Sequence, residues 1–163
     1  MEHGDYKKKI DFKAFAVKKF TPHLFNHTFN AYAGCGANTI SLLTGVSPFK
    51  FMKDHWPDDE LLRVLRKHKF EIAKLTHCNV TNRVVSGHPI GDEHVILCSI
   101  MMIKGEATWC VIYGGNIYHN MEISPVTRYE FFNHPIHTAY LVVHPDWKNT
   151  NAKVQKESSG GTS

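Results

Sequence analysis

The stretch from Asn30 to Gly45 reads NAYAGCGANTISLLTG and sets a cysteine between two glycines, just ahead of a short apolar helical pattern. A thiol in that setting can do one kind of chemistry, which is to attack an electrophilic carbon as the thiolate. An unperturbed thiol, with a pKa of about 8.5, is mostly protonated at neutral pH, so a nucleophilic Cys35 needs help. The start of a helix would give it, because the amide N–H groups and the positive end of the dipole favour the anion. The same N–H groups can hold an oxyanion. Gly34 and Gly36 would let a substrate backbone come close. The plainer reading is a small buried side chain in a glycine-rich turn. Both readings stand until the rest of the chain is read.

The other residues able to do chemistry are less organised. Cys35, Cys78, Cys98 and Cys110 show no close paired spacing, which argues against a zinc ribbon or a redox CxxC. Twelve histidines invite a metal reading, above all HPIH at His134 to His137 and THC at Thr76 to Cys78. His134 and His137 bracket Pro135, and no third ligand is spaced to join them. No metal and no cofactor are expected.

These side chains must be held by something. The chain has 163 residues, 42% hydrophobic and 21% charged, which suits one globular domain with a sizeable core. Its expected span is residues 1–147, with 1–24 a basic and aromatic extension and 148–163 a polar, disordered tail. The net charge is +4, and much of the excess lies in Lys7, Lys8, Lys9, Lys13, Lys18 and Lys19. No interleaved arginine and aromatic pattern accompanies them, so they read as a solvated face and not a nucleic-acid site. MEHGDYKKKIDF has no apolar core of a signal peptide, and HVILCSIMMI is too short to span a membrane. Free thiols then point to a reducing, cytoplasmic setting (a host cytoplasm if the protein is viral).

Periodicity places helices first and strands second. Residues 10–20 suit an N-terminal helix, broken by Pro22, and TPHLFNHTFNAYAG follows as an aromatic-rich loop. A helix is expected from Cys35 or Gly36 to Thr44, with Ala37, Ile40 and Leu43 inward and Gly45 as its stop. Ser47-Pro48 opens another. DDELLRVLRKHKF carries an apolar stripe on Leu61, Val64, Leu65 and His68, with acids in its first turn and bases in its last. EIAKLTHC reads as a strand, NVTNRVVSGHPIGDE as a connection and HVILCSIMMI as a buried strand. ATWCVIYGGNIYHNME reads as a hairpin turning at Gly114-Gly115. SPVTRYEFFN reads as a short capped helix and TAYLVVH as the last strand. The expected class is α+β, with an antiparallel sheet packed on N-terminal helices.

This order of motifs resembles the papain-like cysteine peptidases. GCGANTISLLTG heads a helix, an apolar strand follows, then TWCVIYGGNIYHN and ISPVTRYEFFNHPIHTAYLVV. The likeness covers roughly residues 25–145 and is closest to the double-glycine, bacteriocin-leader-processing branch. The resemblance implies a papain-like fold, a peptide or protein substrate, and a nucleophile at Cys35. It also implies a histidine where Thr108 stands, before Trp109, and an acid or amide at His119 or Asn120. The glutamine expected before the nucleophile would fall near Phe29, with Asn30 the nearest amide. With Thr108 in the histidine's place the triad is degenerate, because a hydroxyl cannot take up a thiol proton near neutral pH and return it.

Hairpin parity sharpens the question. With a two-residue turn at Gly114-Gly115, Cys110 faces His119, and His119 shares a face with Thr108 about 7–8 Å away on the diagonal. With a three-residue turn Asn120 takes that face instead. Three functions follow. The first is a thiol-dependent hydrolase with Cys35 as nucleophile and His119, then His94, as relocated base. The second is an inactive scaffold binding a peptide or partner in the old cleft, with Trp109 as a wall. The third is an interaction or structural protein docking on a larger assembly through the aromatic segment Phe20 to Tyr32 and the basic N-terminus. The sequence gives no oligomeric state.

Overall fold

The computed structural model describes residues 10–25, 27–75, 84–85, 88–89, 93–101, 107–125 and 136–148. It is an α+β arrangement built on a six-stranded antiparallel sheet. The strands are β1 (Glu71–Leu75), β4 (Val95–Met101), β5 (Ala107–Tyr113), β6 (Asn116–His119), β7 (Glu122–Pro125) and β8 (Ile136–Val143). Their spatial order is β1-β8-β4-β5-β6-β7. Two short strands, β2 (Val84–Val85) and β3 (His88–Pro89), form a separate ladder.

The centre of the sheet is apolar because it is covered on both faces. Every residue from Val95 to Ile100 is buried, as is every residue from Trp109 to Ile112. A strand buried on two sides cannot alternate polar and apolar side chains, and the run VILCSIM reflects that. The register pairs Cys98 with Cys110, Ser99 with Trp109 and Ile100 with Thr108.

Helix α1 (His27–Thr44) and helix α2 (Asp58–Lys67) supply the helical layer. In α2, Leu61, Leu62 and Leu65 are buried, Asp58, Asp59 and Glu60 fill the first turn, and Arg66 and Lys67 the last. That charge order complements the helix dipole. A 3-10 turn at Pro48–Phe51 joins the two helices, with Ser47 Oγ accepting from the Phe49 amide at 3.3 Å. A last short helix, α3 (Pro145–Lys148), lays Trp147 against Phe20 and Phe70.

Four expectations are corrected. The N-terminal helix over 10–20 is only a 3-10 turn at Phe12–Phe15. Beyond it the backbone is spent on distant partners, with the Val17 amide donating to Glu93 O and the Lys18 amide to Trp147 O. Phe15, Val17 and Phe20 of this segment are buried in the core. The aromatic loop is in part helical, since α1 begins at His27. The segment at Ser124-Pro125 starts no helix; both residues lie in β7 on the sheet edge, where a proline costs no ladder bond. The strand expected over 117–121 ends at His119, because Asn120 and Met121 take positive φ values of 52° and 69°. The helix expected beyond Pro125, and the tail after Lys148, lie outside the described residues.

Candidate functional site

The presentation of Cys35 depends on a break in α1. Gly34 has φ 89° and ψ 163°, so two helical segments meet there and Cys35 is the first residue of the second. That backbone lies in the region where an L side chain is strained. Gly36 is needed for a different reason. A Cβ there would lie 2.5 Å from Cδ1 of Trp56 and 2.8 Å from its Cβ and Cγ. Trp56 is fastened from both ends: its Nε1 donates to Phe51 O at 2.9 Å, and its carbonyl accepts from Trp109 Nε1 at 3.1 Å. The link between α1 and α2 is therefore pinned across the head of the Cys35 helix.

Between that link and β5 lies a cavity of about 370 Å³. Cys35, His55, Trp56, Asp58, Ser99 and Trp109 all border it. The size suits a small ligand or a short run of peptide. Cys35 Sγ accepts the backbone N–H of Trp109 at 3.4 Å. Ser99, opposite Trp109 in the register, is 2% exposed yet borders the cavity. Lys53, also on its edge, is paired with Glu60 and stands 4.2 Å from the centre of the Trp56 ring. Asp58 Oδ2 accepts from Tyr140 Oη at 2.7 Å. Burial, and then the Asp58 carboxylate, push the Tyr140 hydroxyl up to about 12.

No protein-family model, curated protein or solved structure matches this chain. The residues have to be weighed by their own geometry.

The hairpin closes through a two-residue turn. Tyr113 pairs with Asn116, and Gly114 and Gly115 take φ values of 60° and 83°. His119 therefore shares a face with Thr108, and its Nε2 lies 2.8 Å from Thr108 Oγ1. Burial pushes the His119 imidazole below its ordinary value, with Glu122, its cross-strand neighbour, pulling the other way. Alternation then matters. Trp109 turns its indole toward Trp56 and the cavity, so Thr108, the preceding residue of an unbroken strand, points to the opposite face. His119 goes with it and does not border the cavity.

The other candidates fall elsewhere. Asn120 Oδ1 accepts from Asn38 Nδ2 at 3.1 Å and so ties the hairpin end to α1. Asn30 lies in α1 four residues before the break, and its side chain is outside the described set, as are Cys78 and His134. His94 is 5% exposed, with Nε2 3.1 Å from Phe12 O, and is part of the core. Among the described residues no group of three metal-ligating side chains converges, and no helix is long and apolar enough to cross a membrane.

The residue that sequence reading passed over is His55. Its signal was the run KDHWPD, a cluster of charge and one aromatic between two helices. Neither its spacing nor its composition matches a catalytic motif.

Proposed function

We propose that this chain is a papain-like, thiol-dependent hydrolase of a peptide or amide bond, with Cys35 as nucleophile. The observation that supports it is the setting of the thiol. Cys35 heads a helical segment behind a positive-φ glycine, borders a cavity of about 370 Å³, and accepts a backbone N–H through its sulfur. That N–H, from Trp109, gives the sulfur a fixed backbone partner at the cavity edge. The first-turn amides of the same helix are suited to an oxyanion. A concave, partly polar cavity is where ligands are held.

A second reading is favoured by one specific observation. His119, the first candidate for a relocated base, is bonded to Thr108 and does not border the cavity, and Thr108 stands where the resemblance implies a histidine. On that reading the chain is an inactive papain-like scaffold that holds a peptide or protein partner in the cavity, with Trp56 and Trp109 as walls.

The two readings separate on one measurement. Purified protein is incubated with fluorogenic peptide amides, including peptides ending in Gly-Gly before the reporter. The hydrolase reading expects release that disappears in Cys35→Ser. Fluorescently labelled uncleaved peptide that binds wild type and Cys35→Ser equally, with no release from either, supports the scaffold instead.

A further inference from the structure

Thiol hydrolysis needs a base that can take the sulfur's proton and give it to a leaving amine. Six histidines have described side chains, and five of them do not border the cavity with Cys35. The His23 ring lies against Gly45. His68 packs on Phe51, and His94 is bonded to Phe12. His119 is bonded to Thr108, and His144 lies beside Asp146 and Phe70. His55 is the one histidine among the described residues that borders the cavity with Cys35.

We infer that His55, carried by the link between α1 and α2, is the imidazole that serves Cys35. The inference rests on the hydrolase reading and supplies the base that Thr108 cannot be. Covalent neighbours fix the approach. Trp56, the next residue after His55, packs directly on Gly36, the next residue after Cys35. His55 and Cys35 are therefore the chain neighbours of two residues in contact. His55 is exposed, and no hydrogen bond or ion pair to a described residue ties it down, so its ring is able to turn toward the sulfur when a ligand fills the cavity. Asp54 and Asp58 border the same cavity, and Lys53 beside them is paired with Glu60.

The step balances without a further reactant. The neutral imidazole takes the thiol proton, and the thiolate adds to the amide carbon. The tetrahedral oxyanion collapses with cleavage of the C–N bond, and the imidazolium gives its proton to the departing amine. Water then adds to the thioester, losing one proton to the imidazole. Collapse of that adduct breaks the C–S bond and the proton returns to sulfur, leaving acid, amine and free enzyme.

The test reads the thiol directly with iodoacetamide and locates the label on Cys35 by peptide mass mapping. Wild type, His55→Ala and His119→Ala are compared between pH 5.5 and 8, each checked for fold by circular dichroism. At pH 6.5 His55→Ala is expected to label Cys35 about tenfold more slowly, since an unassisted thiol is then only about 1% thiolate. The rate below pH 7 should follow the imidazole in wild type and lose that limb in His55→Ala. His119→Ala should leave Cys35 labelling near wild type. Unchanged labelling in His55→Ala, or slowing in His119→Ala alone, would overturn the inference. Peptide hydrolysis abolished by Cys35→Ser but kept in His55→Ala would overturn it too, while leaving the hydrolase reading intact. Hydrolysis absent from wild type defeats the hydrolase reading, and the labelling rates still decide which imidazole meets the sulfur.

Discussion

His119 Nε2 and Thr108 Oγ1 lie 2.8 Å apart, joining the end of β6 to the beginning of β5 on the sheet face away from the Trp109 indole. The contact holds a candidate base, half-buried, against the neighbouring strand. It also makes a pH prediction with a definite sign. Burial lowers the folded-state value of His119, so the folded protein resists protonation. Stability from this group is complete above the unfolded value of about 6.5 and is lost as pH falls through the lower folded value. His119→Gln keeps a side chain able to bond Thr108 and removes the titration. Its thermal midpoint should fall less than that of wild type between pH 7 and pH 5. Equal slopes for the two proteins would show that His119 does not titrate with unfolding.

Tyr140 behaves in the opposite sense. Its hydroxyl donates to Asp58 at 2.7 Å and is pushed up to about 12, so the folded state prefers the neutral phenol. That contribution is fully present below pH 10 and is lost as pH rises from about 10 to 12. Tyr140→Phe should cost about 1–3 kcal/mol at pH 7, because a hydrogen bond to a carboxylate is removed and Asp58 is left to water or to its helix. Urea unfolding of both proteins at pH 7 and at pH 10.5 checks this, and the gap between them should narrow at the higher pH.

Much of this architecture was legible in the chain, and the misses share a physical cause. Gly114-Gly115 marked the turn, because few other residues accept two positive φ angles in succession, but both a two-residue and a three-residue loop were open to it. The pairing of Tyr113 with Asn116 decides for two residues and so places His119 on the face of Thr108. The β5 strand was visible from end to end, and so was the C-terminal boundary of α1 at Thr44. What did not show was anything that depends on which of two sheet faces receives a helix. Parity relates Thr108 to His119 but says nothing of where Cys35 comes to rest. The role of residues 53–58 was hidden for the same reason: Trp56 is half-buried against Gly36, a contact between two segments that no local pattern encodes. Residues 10–20 misled because their apolar side chains match a helical stripe, while their backbone amides are claimed by Glu93 and Trp147.

The two glycines flanking Cys35 should fail in different ways. At Gly34 a Cβ would meet nothing within 4 Å, so Gly34→Ala should cost only the backbone strain of a positive φ, about 1–2 kcal/mol. At Gly36 the added carbon would run into the Trp56 indole, whose root atoms cannot swing aside. Gly36→Ala should cost about 1–3 kcal/mol and displace Trp56 from the cavity wall. Tryptophan emission separates the two: a red shift in the native spectrum is expected for Gly36→Ala and none for Gly34→Ala. A native spectrum unchanged in both would mean that the link between the helices does not rest on Gly36.

The remaining thiols define what an inert cysteine looks like in this fold. Cys98 and Cys110 face one another across β4 and β5 with sulfurs 3.4 Å apart, and both are fully buried. The hydrogen bond from Cys110 and burial hold the Cys98 thiol well above its usual range, which keeps it from the reactive thiolate. Cys35, half-buried at the cavity, has no such shield. In a Cys78→Ser background, 5,5′-dithiobis(2-nitrobenzoic acid) should therefore titrate one thiol quickly in the native protein and the other two only as the domain opens. Adding urea below the unfolding midpoint should speed the slow pair in proportion to the population unfolded and leave the fast thiol almost unchanged. Cys110→Ala should destabilise by about 1–2 kcal/mol through a lost core contact without altering the fast phase. A native protein in which Cys98 or Cys110 reacts as fast as Cys35 would mean that the central strands open readily, and the selectivity assigned to Cys35 would then need another source.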